Sequence, residues 1–256
     1  MKLSIIVIEY HSLEDILFFD NDIKQLLPKG EYEIIVSSNS CYDSVKQKDL
    51  RDILPDIIWV FNERNGGFAY GMNRGMEKAT GDYLMIANPD IRLKNGLSEA
   101  ISYLGTHPEV GALGPLIKNK DGLLQDSARL YITLRRFLIR NARRIVRIEK
   151  KRDYSSVRSV DWVIGACIII SRRAYQMTGG MDEYYFLYVE DMDLCTSIRA
   201  EGLEVVHYPK MEVVYEGTRS SLKSLKYTII HLRSLLHYWK KFGHRKTPHT
   251  RKAVSD

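Results

Sequence analysis

Apolar and polar positions alternate along the first ninety residues in two distinct rhythms. Leu3–Ile8 is a β-rich apolar run, and Leu13–Leu27 places apolar residues at helical spacing. Glu33–Val36 reads as a second strand, a helical segment containing Val45, Leu50 and Ile53 follows, and Ile57–Phe61 gives a third strand. Ala69–Ala79 then reads as a helix and Tyr83–Ala87 as a fourth strand, ending at Asn88-Pro89-Asp90. Strands alternating with helices predict βαβ units and an α/β fold with a mainly parallel sheet. Beyond Ile91 the pattern is less regular: short strands near Val110–Ile117 and Val160–Ile170, a helix around Asp191, and short runs at Glu204–His207 and Val213–Tyr215. There is no internal repeat and no low-complexity linker.

In such sheets ligands collect where the strands end at their carboxyl termini. The loops Glu9–Ser12, Ser37–Ser40, Asn62–Phe68 and Asn88–Asp90 all follow strands there, so a nucleotide is expected along that edge. Asn65-Gly66-Gly67-Phe68 opens a helix containing Asn73; its glycines suit either close approach to a phosphate or a plain turn. Asp90, behind Pro89, suits either a turn or a divalent cation whose other oxygens come from a substrate diphosphate.

The stretch Gly179–Cys195 carries the sharpest signal. Leu194, Cys195 and Ile198 share one helical stripe with Asp191, so this acid faces a core or a cleft. An aromatic wall of Tyr184, Tyr185 and Phe186 would raise its pKa, and the positive end of the helix would lower it. A carboxylate so balanced can act as general base, although acids near a helix N-terminus are common without any such role.

Composition narrows the partners. A chain of 256 residues can bury one substantial core, and a net charge of +6 points to an anionic partner. Two basic stretches stand out. One holds Arg129, Arg135, Arg136, Arg140, Arg143, Arg144, Arg147, Lys150, Lys151 and Arg152; the other runs from Leu222 to Lys246 and carries Leu225, Ile229, Leu232, Leu236 and Trp239. Both read as basic amphipathic helices, which would pack on the core or meet an anionic membrane surface or a lipid diphosphate. No nucleic-acid module accompanies the charge, and no nucleic acid is expected as a partner. Cys41, Cys167 and Cys195 lack metal or redox spacing and are expected as buried free thiols in a reducing compartment. Met1–Ile8 is too short for a signal peptide, and Val163–Ile170, the longest apolar run, is too short to span a membrane. A cytoplasmic protein, peripheral at the inner face of the plasma membrane, is expected.

In this order, Ser4–Tyr10, Asn65-Gly66-Gly67-Phe68, Gly81-Asp82-Tyr83, Asn88-Pro89-Asp90, Gly165-Ala166 and Gly180–Cys195 resemble family 2 glycosyltransferases over roughly residues 3–220. Within that family the chain looks like the bacterial rhamnosyltransferase-type enzymes of O-antigen and other surface polysaccharides. The resemblance implies a GT-A fold, a Rossmann-like and mainly parallel central sheet flanked by helices. Residues 1–220 would form the transferase domain, with a nucleotide-sugar half at about 1–95 and an acceptor half at about 96–220. Residues 221–256 would be a basic amphipathic C-terminal helix and tail.

It further implies an inverting displacement with Mg²⁺ or Mn²⁺, Asp90 as metal ligand and Asp191 as catalytic base. Glu9, Tyr10, Ser38, Asn39, Asn65, Gly67, Asn73 and Asn88 would line the donor with Asp90. Trp162, Gly165, Ala166 and Glu190 would lie by the transferred sugar and acceptor. Donor choice points to dTDP-rhamnose, then a UDP- or GDP-sugar, and the acceptor to a glycan, free or lipid-linked; a homodimer through the C-terminal helix is the alternative to a membrane. Three departures stand out: Ser38-Asn39 where the family usually has an Asp, Glu9 where an uncharged polar residue is usual, and Tyr215-Glu216 in place of a histidine, with His207 no obvious substitute. Two alternatives follow. A sugar nucleotidyltransferase would need a glycine-rich basic loop after the first strand, which Glu9-Tyr10-His11-Ser12 is not. A catalytically inactive membrane-peripheral module would keep the fold without the chemistry.

Overall fold

The computed structural model describes residues 1–129, 131, 154–216 and 225–243. The first basic stretch, apart from Arg129, lies outside the described residues. Four parallel strands open the chain: β1 (Leu3–Glu9), β2 (Tyr32–Ser38), β3 (Ile57–Phe61) and β4 (Tyr83–Ala87). Helices α1 (Leu13–Leu26), α2 (Ser44–Ile53) and α3 (Phe68–Met76) connect them.

β1 reads as a continuous apolar run because the sheet is covered on both faces. Leu3, Ile5 and Val7 enter one core cluster, whereas Ile6 enters another with Leu84, Ile86 and Met72. After β4 come β5 (Arg92–Asn95), α4 (Leu97–Thr106), β6 (Val110–Lys118), β7 (Ala128–Arg129), β8 (Arg158–Ser159), β9 (Trp162–Val163) and β10 (Cys167–Ser171). They are followed by α5 (Arg172–Thr178), α6 (Glu190–Ala200), β11 (Glu204–Val214) and α7 (Leu225–Phe242). The main sheet runs β3-β2-β1-β4-β10-β6-β11-β5, with β8 beside β11 and a separate β7–β9 pair.

Direction within this sheet positions the site. β10 runs antiparallel to both β4 and β6, and β11 runs parallel to β6. The start of β10 and the end of β11 therefore join the carboxyl ends of β1, β2 and β4 at one edge.

The second half departs from the expected elements. Val160–Ile170 is two strands separated by a turn at Ile164–Ala166, and Glu204–Val214 is one strand rather than two. The register of β11 shifts between Tyr208 and Glu212, where Pro209 has no N–H to give the ladder. The α4 helix fills a stretch whose periodicity looks irregular, although Leu97, Ala100, Ile101 and Leu104 are spaced as a buried helical face. Cys167 and Cys195 are buried, but Cys41 is exposed, on a loop past the end of β2 that the core does not cover.

Candidate active site

The chain enters α6 through two consecutive left-handed residues, Tyr188 (φ 68°) and Val189 (φ 75°). That conformation is costly for a β-branched residue, and here it turns the chain so that Glu190, Asp191 and Asp193 occupy the first helical turn. Asp191 is half-buried at the cleft. Its Oδ2 accepts from the Gly165 amide at 2.8 Å and its Oδ1 from the Met192 amide at 2.8 Å. Burial raises its pKa above the ordinary carboxylate value, opposed by those two amides and by the nearby Arg129 guanidinium. A Cβ at Gly165 would sit 3.2 Å from that of Asp191, so glycine lets the backbone amide reach the carboxylate. Glu190 is more enclosed: burial and the neighbouring Asp191 charge push it up to about 8, and its Oε2 has no hydrogen-bond partner.

Gly165 and Ala166 join this acid to the end of β4. The Asn88 amide donates to the Ala166 carbonyl at 3.0 Å, and Asn88 Nδ2 donates to the Tyr215 hydroxyl at 3.1 Å. Asp90 stands two residues beyond, exposed, with no ion pair reaching it among the described residues. The protein around it still withdraws water and raises its pKa, with Asp15 adding to the rise and Arg92 opposing it. Tyr215 is pushed up to about 12 by burial first, then by the charge of Asp90, with smaller contributions from Tyr188 and Asp191. One tyrosine thus lies within the fields of both the expected metal ligand and the expected base.

At β1 and β2 the expected donor residues form an internal lattice. Glu9 is fully buried and accepts from the Ser12 amide and from the Ser38, Ser40 and Tyr42 hydroxyls. A buried carboxylate needs such donors, and these two departures from the family pattern complete one another: Glu9 is held by Ser38. The geometry places Glu9 behind the loop, whereas Tyr10 projects outward. Asn39 is buried, accepting from Asn62 Nδ2 at 2.9 Å and donating to the Gly67 carbonyl at 3.0 Å. Asn65 Oδ1 accepts from the Gly67 amide at 3.0 Å.

Gly67 has φ 93°, and a Cβ there would overlap the backbone of Phe186. The close approach lets the Phe68 amide donate to the Phe186 carbonyl at 2.8 Å, so one amide at the start of α3 is already engaged. Asn73 is a clamp: its Nδ2 donates to Met181 O at 2.8 Å and its Oδ1 accepts from Met181 N at 2.9 Å, fixing α3 to the glycine turn.

Several expected placements differ. Trp162 is buried, with the Arg129 guanidinium 5.0 Å from its ring centroid, so it presents no open face to a sugar. The aromatic wall is not one: Tyr184 and Phe186 are exposed, and only Tyr185 is buried, donating to Asp193 Oδ2 at 2.8 Å rather than shielding Asp191. His207, by contrast, is placed in line with its reading as no obvious substitute for the family's histidine: it is buried, its Nε2 3.2 Å from the Tyr154 carbonyl. Arg129 enters the site from outside every motif, and Tyr215, noted only as standing where the family has a histidine, enters it through Asn88.

Helix α7 is seated on this assembly. Lys241 donates to Asp182 Oδ2 at 2.9 Å and to Asp193 Oδ1 at 2.8 Å, and His237 lies 3.1 Å from Asp182. The Tyr238 hydroxyl is 2.8 Å from that of Thr196, and Ser234 donates to Leu187 O. The helix thus braces both α6 and the loop leading into it.

The site's likeness to known proteins follows the same lines. The family described as "Glycosyltransferase like family 2" matches residues 5–231. The N-acetylglucosaminyl-diphospho-decaprenol L-rhamnosyltransferase of Mycobacterium tuberculosis is 29% identical over 213 residues, covering 73% of this chain and 67% of that protein. Rhamnosyltransferase WbbL of Escherichia coli is 26% identical over 225 residues, 82% of each chain. Among solved structures, mannosyltransferase PcManGT of Pyrobaculum calidifontis, in complex with GDP-Man and Mn²⁺, has a TM-score of 0.65 at 19% identity, over 96% of this chain and 66% of that one. GalNAc-T7 with UDP, GalNAc and Mn²⁺ has a TM-score of 0.68 at 13% identity, over 94% of this chain, which spans 48% of that larger one. These structures share the GT-A fold, and with the family match over most of its length the chain belongs to the glycosyltransferase-like family 2.

Proposed function

We propose that the chain transfers rhamnose from dTDP-rhamnose to a hydroxyl of a glycan, free or lipid-linked, in bacterial surface polysaccharide synthesis, with inversion at the anomeric carbon. The observation that carries this reading is the hydrogen-bonded path from Asp191 through Gly165-Ala166 to Asn88, which sets a raised-pKa acid and the exposed Asp90 on one edge of the sheet. Two relatives named as rhamnosyltransferases support the choice of sugar, and one of them, named for an N-acetylglucosaminyl-diphospho-decaprenol acceptor, supports a lipid-linked acceptor.

In this mechanism the acceptor hydroxyl attacks the anomeric carbon from the side opposite the nucleotide. Its oxygen forms the new bond while the bond from carbon to diphosphate oxygen breaks, and the proton passes to Asp191. A pKa raised by burial suits that task, because the base then holds the proton it takes. The two amides on Asp191 fix its direction, and Glu190 and Asp193 orient the helix and acceptor. The Tyr215 hydroxyl accepts from Asn88, so its own proton is free to reach a departing diphosphate oxygen. No group of three or more His, Cys, Asp or Glu gathers into a metal cage among the described residues. Asp90, an exposed carboxylate with no ion pair among the described residues, nevertheless fits a hard cation that takes its other oxygens from the substrate. Asp90 would hold Mg²⁺ or Mn²⁺, whose chemistry is to neutralise charge on the leaving diphosphate.

Calorimetry with nucleoside diphosphates and their sugars, with and without Mg²⁺ or Mn²⁺, tests this reading. Metal-dependent binding of dTDP or dTDP-rhamnose is expected; binding of a UDP- or GDP-sugar alone would change the donor, and no binding at all would defeat the transferase reading.

A further inference from the structure

The inner face of α7 braces the site, but its opposite face carries a second feature. Leu225, Ile229, Leu232 and Leu236 follow one another at spacings of four, three and four and form a single stripe along the helix. They are 77%, 44%, 48% and 63% exposed, whereas Ser234, Leu235 and Tyr238 on the inner side are buried. A large apolar stripe left in water is costly and calls for a partner. Lys226, Arg233 and Lys240, all exposed, line one margin of the stripe at successive sevens, and the helix contains no acidic residue.

We infer that α7 docks on an anionic lipid bilayer, lying in the plane of the interface with the leucine–isoleucine stripe in the acyl boundary and the three basic side chains at the headgroups. Charge decides the occupant. A second copy packed antiparallel on this face would set the same basic margin against its own image, and a parallel copy would leave both margins unmatched, whereas an anionic surface complements them. The helix is not long and apolar enough to cross a membrane, which fits an interfacial position. The inner face meanwhile holds Asp182 and Asp193 through Lys241, so docking would fix how the cleft faces the bilayer. The inference does not depend on the identity of the donor or on the reaction.

The test is co-sedimentation of the full chain with phosphatidylcholine vesicles, with and without phosphatidylglycerol, at low and high salt. Binding to the phosphatidylglycerol vesicles, weakened by salt, is expected. The double variant Leu232→Glu with Leu236→Glu should lower the partition coefficient at least about tenfold, with no loss in thermal midpoint because both side chains are exposed. Arg233→Glu with Lys240→Glu should remove most of the preference for phosphatidylglycerol, since each basic residue near an anionic surface contributes about fivefold. Variants that sediment like the wild type would overturn the inference and leave any binding to other parts of the chain. Absence of wild-type binding, or equal binding to both vesicle types, would also overturn it. So would light scattering that shows a dimer split by the leucine changes, which would assign the stripe to a second copy.

Discussion

The two ends of the central sheet treat their carboxylates in opposite ways. At the amino-terminal edge, Glu33 accepts from Lys2 Nζ at 2.7 Å, from Ser4 Oγ at 2.6 Å and from the Thr80 amide at 2.6 Å. Burial alone would raise its pKa, but these donors outweigh burial and lower it to about 2. At the carboxyl edge Asp90, Glu190 and Asp191 are all raised, each with burial as the leading cause. Equivalent side chains thus tie strands together at one edge and remain available to a ligand at the other. Glu9 shows that the edge itself is not the cause: it stands at the carboxyl end, yet four donors give it the structural role that Glu33 has at the other end. Unmet hydrogen-bonding capacity, rather than location, separates the two groups.

Removing the base should break this comparison most severely. Asp191→Asn keeps the shape and can still accept the Gly165 amide, but it cannot take a proton. Transfer should fall by about 10²- to 10⁴-fold in single-turnover assays, while donor affinity by calorimetry stays within about twofold. Near-full turnover would remove Asp191 from the role of base. Asp90→Ala should act on binding instead: the metal-dependent part of donor affinity should drop at least about tenfold, and metal-free nucleotide binding should change little. If donor affinity were equally metal-dependent in the variant, the ion would have to be held elsewhere.

Much of this arrangement is legible along the sequence, for reasons that differ by region. β3 and β4 have the ends that the apolar runs predict, because polar or turn residues bound each run: Asp56 and Asn62 for β3, Asp82 and Asn88 for β4. Asp90 and Asp191 are legible because one closely follows the end of β4 and the other stands in the first turn of α6. Tyr215 is not: its role comes from Asn88, 127 positions earlier, and from a sheet order that no local pattern encodes. Trp162 shows the converse limit, since an aromatic beside Gly165 looks suited to a sugar until Arg129 is found over its ring. The C-terminal helix was legible as amphipathic, but the acids that Lys241 would meet lie 48 and 59 residues away.

The amino-terminal edge offers a sharper test with a smaller effect. Glu33→Gln leaves its neighbours with a weaker acceptor and should destabilise the fold by about 1–3 kcal/mol at neutral pH in denaturant titrations, with activity per folded molecule unchanged. The pH dependence has a defined sign. A folded pKa of about 2 lies below an unfolded value near ~4.3, so the stabilisation is present above the unfolded value and is lost as pH falls toward 2. The stability gap between wild type and variant should therefore shrink across that acidic window. A gap that stayed constant with pH would mean that the charge of Glu33 contributes nothing and its shape everything.

The smallest expected effect concerns Glu190, and it decides which member of the acidic pair is the base. Burial and the Asp191 charge lift Glu190 to about 8, so it holds its proton well above the ordinary carboxylate range. The folded state then holds more protons at this site than the unfolded chain between ~4.3 and 8, so this residue lowers stability as pH rises through that interval. Glu190→Gln, neutral at every pH, should flatten that decline and leave the protein more stable than the wild type above pH 8. The acidic limb of the transfer profile should persist, because the proposed base, Asp191, is unchanged. Only the alkaline side should change, by a few-fold, as the second charge beside the base no longer forms. A loss of transfer as large as that of Asp191→Asn, with the acidic limb abolished, would reverse the assignment and make Glu190, with its unpartnered Oε2, the group that receives the acceptor's proton.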